Sequence, residues 1–98
     1  MKEPAFLTAL KDIDPEFYPI VSSVFSKAMA KGALDLKTKA LICLALDSVA
    51  HAPGGVKQLA QLARAVGAKE EEIAETVRLA FLVGGLGSLT TGLSAFEK

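Results

Sequence analysis

The sequence is short of the elements most chemistry is built from. It has one cysteine, one histidine and no tryptophan. A single thiol excludes an intrachain disulfide and a self-contained zinc site from one chain. Aromatic residues make up only 6%, so the core has to be assembled from Ala, Leu, Val and Ile. Net charge is lacking too: eleven basic and eleven acidic residues cancel. No overall field then favours nucleic acid or an anionic membrane. The opening MKEPAF has no basic stretch leading into an apolar run. No secretory signal is expected, and a reducing cytoplasm is the expected location. Residues 79–96 carry no charge, yet Gly84, Gly85, Gly87 and Gly92 interrupt them, together with Ser88, Thr90, Thr91 and Ser94. A membrane span needs about 20 predominantly apolar residues, so this segment reads as a buried helix, a tight turn and a short terminal helix.

What remains is helical. With 98 residues, half of them apolar, the chain has the length of a single domain near the lower limit for one self-sufficient core. No alternating strand pattern persists, and β-branched residues are sparse. The expected fold is all-α, a compact bundle of five to six helices. Residues 1–13 supply a short amphipathic helix. Asp14-Pro15 signals a second start, with Asp14 as N-cap and Pro15 in the first position. Phe17, Ile20, Val21, Val24, Phe25 and Ala28 then form a stripe expected to face the core, with Gly32 as terminator. The next helix opens at Leu34 or Asp35 and is apolar around its circumference from Ala40 to Leu46, the pattern of a helix buried on all sides. A break at Pro53-Gly54-Gly55 leads to a helix over about 56–66 that Gly67 ends. Another starts near Lys69, with Glu70, Glu71 and Glu72 complementing the positive end of its dipole. Its inner stripe reads Ile73, Val77, Ala80, Phe81 and Gly84.

Three pieces carry a family resemblance: LDLKTKALI at 34–42, VGAKEEEIAE at 66–75 and LAFLVGGLGSL at 79–89. Their order and spacing resemble the carboxymuconolactone decarboxylase and alkyl hydroperoxidase D-like family, from about Phe17 to Phe96. The resemblance implies a decarboxylase or a cysteine peroxidase, and assembly as a trimer or hexamer. It also locates what is missing. Laid on this chain, the redox branch's glutamate falls on Ala40, its two cysteines on Ala52 and Gly55, and its histidine on Leu59. Peroxidase chemistry needs a low-pKa thiolate, a resolving thiol and a proton relay, and Ala, Gly and Leu supply none of them. The decarboxylase branch also keeps a histidine at the position of Leu59.

The chain's own reactive residues offer a substitute set. Lys39, Cys43, Asp47 and His51 recur every four residues, so neighbours in the series lie close along one helix face. A His-Asp-Cys grouping can tune a thiol. The plainer reading makes Cys43 a small buried hydrophobe and His51 a helix-end donor. Arg64 and Arg78, the two arginines, are the bidentate receptors available for a substrate carboxylate, although each sits on a polar helix face. Two function classes follow. One is a cofactor-free and metal-free enzyme on a small organic acid or peroxide, using Cys43, Asp47 and His51 with Arg78 or Arg64. The other is a non-catalytic oligomeric scaffold or small-ligand-binding protein. In both, the partner is the chain itself, because the apolar helices exceed what one small chain can cover, and the resemblance implies a homotrimer or homohexamer.

Overall fold

The computed structural model describes residues 3–98, and among them there are six α-helices, one terminal 3-10 turn and no strand. The helices group into two compact units, Met1–Ala30 and Lys31–Lys98. The all-α architecture expected from periodicity is therefore present.

The first unit pairs α1 (Ala5–Ile13) with α2 (Tyr18–Met29). Asp14 caps as expected, its Oδ1 accepting the Phe17 amide at 3.1 Å. Regular helix nevertheless begins only at Tyr18, after a turn over residues 15–17. Pro19 is the reason: it has no N–H to bond back along the helix. The Tyr18 hydroxyl donates to the Glu3 carboxylate, and Lys11 lies 5.7 Å from the centroid of the Tyr18 ring. Two expectations fail here. The helix ends at Met29, with Ala30 already extended, so Gly32 does not terminate it. The stripe does not face a core either, because Phe17 is 49%, Ile20 58% and Val24 67% exposed. Periodicity identifies an apolar face, not what covers it.

The second unit contains α3 (Leu36–Val49), α4 (Pro53–Ala65), α5 (Glu70–Gly84), α6 (Leu86–Gly92) and the 3-10 turn (Leu93–Phe96). Asp35 caps α3 by accepting the Thr38 amide at 2.7 Å. Glu72 caps α5 in the same way, accepting the Lys69 amide at 2.8 Å. The α4 helix ends before Gly67, which takes φ +101°, a conformation that costs glycine little. It begins at Pro53, earlier than the periodicity indicated, because proline is pre-set for the first helical position. Leu44, Val56, Ala60, Ile73, Val77 and Ala95 form the core, with Leu41, Leu59, Ala68 and Leu89 packed against it. Helix α3 is not buried on all sides in the single chain. Ala40 and Leu44 are sealed, whereas Ile42 is 43% and Leu46 62% exposed. On α5, Ile73, Val77 and Ala80 face inward, but Phe81 and Gly84 are exposed.

Leu44 holds α3 to this core with no exposed surface. Leu44→Ala is expected to cost about 3 kcal/mol through lost transfer energy and a residual cavity. Chemical denaturation followed by circular dichroism measures it, with the midpoint falling at unchanged slope.

Candidate functional site

The α3–α4 corner is where the sequence-predicted residues gather. The end of α3 is closed by three backbone bonds: Ala50 N–H to Leu46 O at 2.9 Å, His51 N–H to Ser48 O at 3.2 Å and Ala52 N–H to Asp47 O at 2.9 Å. This closure requires one left-handed residue, normally glycine. Here it is His51, at φ +58°. Ala52, preceding a proline, is pushed out of the helical region to φ −112°, ψ 79°. Pro53 then starts α4 in a new direction. Ala52, the N-cap of α4, makes no side-chain capping hydrogen bond.

Asp47 and His51 leave this corner on different supports. The Asp47 carboxylate lies directly against Gly55, the third residue of α4; a Cβ there would collide with Oδ2 and stand 2.9 Å from Cγ. Asp47 is half-buried, and burial pushes its pKa up, with no hydrogen bond or cation acting against that shift. Its folded-state pKa thus lies above its unfolded value. The charge opposes folding above the usual carboxylate range, and the penalty fades as pH falls through the folded pKa. The His51 side chain is exposed and rests on Gly87 of α6, where a Cβ would stand 2.9 Å from Nε2.

Cys43, one turn before Asp47, is half-buried. Burial first, and the Asp47 carboxylate second, raise its pKa, while Lys39 pulls it down. A thiol held protonated in this way lacks the electropositive surroundings of a nucleophilic cysteine. The thiol positions of the resembled redox branch fare no better. Gly55 stands where the second cysteine would be, and the space for its side chain is filled by Asp47. Ala40 is fully buried, and Leu59 packs on the core.

The arginines are separated from this corner in character. Arg64 is clamped by Glu70, with Nε to Oε2 at 2.7 Å and Nη2 to Oε1 at 2.8 Å, and its guanidinium lies 5.9 Å from the centroid of the Phe96 ring. Its bidentate edge is already occupied. Arg78 is exposed on α5. An open groove of about 560 Å³ lies between α3 and α5, lined by residues including Thr38, Leu41, Leu46, Thr76 and Leu79 and edged by the Lys37–Glu72 pair at 3.0 Å. Cys43, Asp47 and His51 do not line it. At about 100° per residue Cys43 and Asp47 fall on the other flank of α3, and His51 lies beyond its end. Sequence reasoning missed both the groove and the contacts of Gly55 and Gly87, since glycine carries no side-chain signal. Among the described residues, no group of three or more His, Cys, Asp or Glu side chains is placed to hold a metal ion, and no helix is long and apolar enough to cross a membrane.

Two outcomes are expected at this corner. Asp47→Asn removes a negative neighbour, so the Cys43 thiol ionises more readily and its alkylation at pH 8 accelerates; thiol trapping timed by mass spectrometry reads this. His51→Gly releases the left-handed strain and raises stability by about 1 kcal/mol, measured as a higher denaturation midpoint.

Comparison with known proteins agrees with the all-α fold. The sequence profile of the carboxymuconolactone decarboxylase family matches residues 15–98. An uncharacterized protein of Methanocaldococcus jannaschii is 27% identical over 97 residues, covering 94% of this chain and 89% of that protein. A crystal structure of a carboxymuconolactone decarboxylase family protein from Legionella pneumophila superposes with TM-score 0.83 at 35% identity, over 91% of this chain and 80% of that one. A second crystal structure, from Burkholderia xenovorans and described as a carboxymuconolactone decarboxylase, gives TM-score 0.87 at 26% identity, over 95% and 74% of the respective chains.

Proposed function

The chain belongs to the carboxymuconolactone decarboxylase family, and from that premise we propose that it is a cofactor-free acid–base catalyst acting on a small organic acid in the cytoplasm. The observation that carries this reading is the Asp47 carboxylate, half-buried against Gly55 with its pKa raised by burial. Such a group keeps its proton to higher pH than an ordinary carboxylate, the direction of shift that a carboxylic acid–base residue uses in carbon acid chemistry and decarboxylation. His51 stands one turn further on, exposed to incoming substrate. Arg78 supplies a free guanidinium for the substrate carboxylate, whereas Arg64 would first have to leave Glu70. Cys43 serves as a protonated wall of the site rather than as a nucleophile.

Proton–deuterium exchange at the carbon next to the carboxylate, followed by NMR over a panel of small keto and lactone acids, tests the proposal. Asp47→Asn and His51→Gln are each expected to lower the rate at least about a hundredfold. Exchange that is unaffected by both substitutions sinks the assignment. The same reading expects no peroxide turnover with a dithiol donor. Turnover that Cys43→Ser abolishes would restore peroxide as the substrate and Cys43 as the nucleophile.

A second reading, a non-catalytic oligomeric scaffold that binds a small ligand, draws support from surface rather than chemistry. Leu82 is 77%, Val83 82% and Leu86 69% exposed along α5 and the start of α6. Both readings share self-association as a trimer or hexamer, because exposed apolar clusters of this kind mark interfaces. Leu82→Glu or Leu86→Glu is expected to dissociate or unfold the assembly. A stable wild-type monomer at micromolar concentration by light scattering would overturn the oligomer.

A further inference from the structure

At two glycines next to the α3–α4 corner, the nearest atoms that an added Cβ would meet belong to one functional side chain each. Gly54 and Gly55 follow one another in the first turn of α4, yet their surroundings differ completely. A Cβ at Gly54 meets no atom within 4 Å, whereas at Gly55 the three nearest atoms all belong to Asp47. At Gly87, likewise, the three nearest atoms all belong to the His51 imidazole, at 2.9, 3.2 and 3.8 Å. Neither contact is needed for backbone conformation, since neither glycine takes a positive φ. The backbone at His51 points the same way. A histidine is kept in a left-handed position where glycine would be less strained, and its ring is then laid on a residue without a side chain.

We infer that Gly55 and Gly87 are positioning residues, whose missing side chains form the seats of the Asp47 carboxylate and the His51 imidazole. This deepens the acid–base reading and rests on it for its functional meaning. The seats fix the two groups from two different elements, α4 and α6. A methyl at Gly55 forces a short, half-buried carboxylate to move. At Gly87 a methyl meets the far end of an exposed ring, which swings away at little cost to the fold.

One histidine and one cysteine in the chain make the test free of turnover. The Cys43 alkylation rate against pH reports the Asp47 charge beside it, and the His51 ring resonances report the imidazole. Gly55→Ala is expected to shift the midpoint of the Cys43 alkylation profile by about half a pH unit or more and to lower Tm. Adding Asp47→Ala removes the obstacle, so Gly55→Ala then raises Tm, as alanine normally does within a helix. Gly54→Ala, on the open side, raises Tm and leaves the thiol profile unchanged. Gly87→Ala moves the His51 ring resonances while the rest of the amide spectrum stays in place. Folded Gly55→Ala and Gly87→Ala chains with wild-type thiol profile and ring resonances would overturn the inference. Should Gly55→Ala not fold, its combination with Asp47→Ala decides. Folding restored by the lost carboxylate supports the seat; failure of the pair where Asp47→Ala alone folds overturns it. An inactive wild type that shows these shifts retires the acid–base reading and leaves the seats standing.

Discussion

The candidate site depends on one backbone reversal, the left-handed residue at His51. Without it, α3 would have no closed C-terminus, and Ala52 could not bond back to the Asp47 carbonyl. With it, the chain turns, Pro53 opens α4, and the first turn of α4 arrives beneath the side chain of Asp47. The same residue that makes the reversal also supplies the imidazole. Geometry and chemistry are thus tied to a single position, and the strain kept there is what a purely structural corner, closed by glycine, would not carry.

Electrostatics then separates the charged groups into two kinds. The carboxylates of Asp35, Glu70 and Glu72 lie in water, accept hydrogen bonds from side chains or helix amides, and have lowered pKa values. The contribution of Asp35 and Glu72 belongs to capping and that of Glu70 to the Arg64 pair, and each is lost as pH falls through the carboxylate range. Asp47 has no such partner, and its shift runs the other way because desolvation acts alone. The contrast rests on what surrounds each group, not on residue type. Arg64 illustrates the same point among the cations. It is spent on Glu70 and Phe96, while Arg78 is exposed on α5.

The apolar surface completes this division. Within the second unit, one face of α3 and α5 is closed over Leu44, Ile73 and Val77. The opposite flank, with Ile42, Leu46 and Leu79, borders the α3–α5 groove and stays open. Cys43 and Asp47 do not line this groove, whereas the His51 ring rests on Gly87, next to the exposed Leu86.

Much of this was legible in the residue order. Period-3.6 patterning, Asp35 as a cap, Gly67 as a stop and the acidic first turn of α5 are local effects, decided within a few residues. The pieces LDLKTKALI and VGAKEEEIAE carried the family, and the Ala, Gly and Leu at its catalytic positions already spoke against thiol chemistry. The four-residue spacing also brought Cys43, Asp47 and His51 forward as a group. Tertiary structure alone decided what that group amounts to. Whether Phe17, Ile20 and Val24 were covered, and whether α3 was sealed on every side, depended on neighbours distant in sequence. That Asp47 rests on Gly55 and His51 on Gly87 depended on where α4 and α6 return. Local sequence dictates which conformations a segment prefers, but contact and desolvation depend on what the rest of the chain brings alongside.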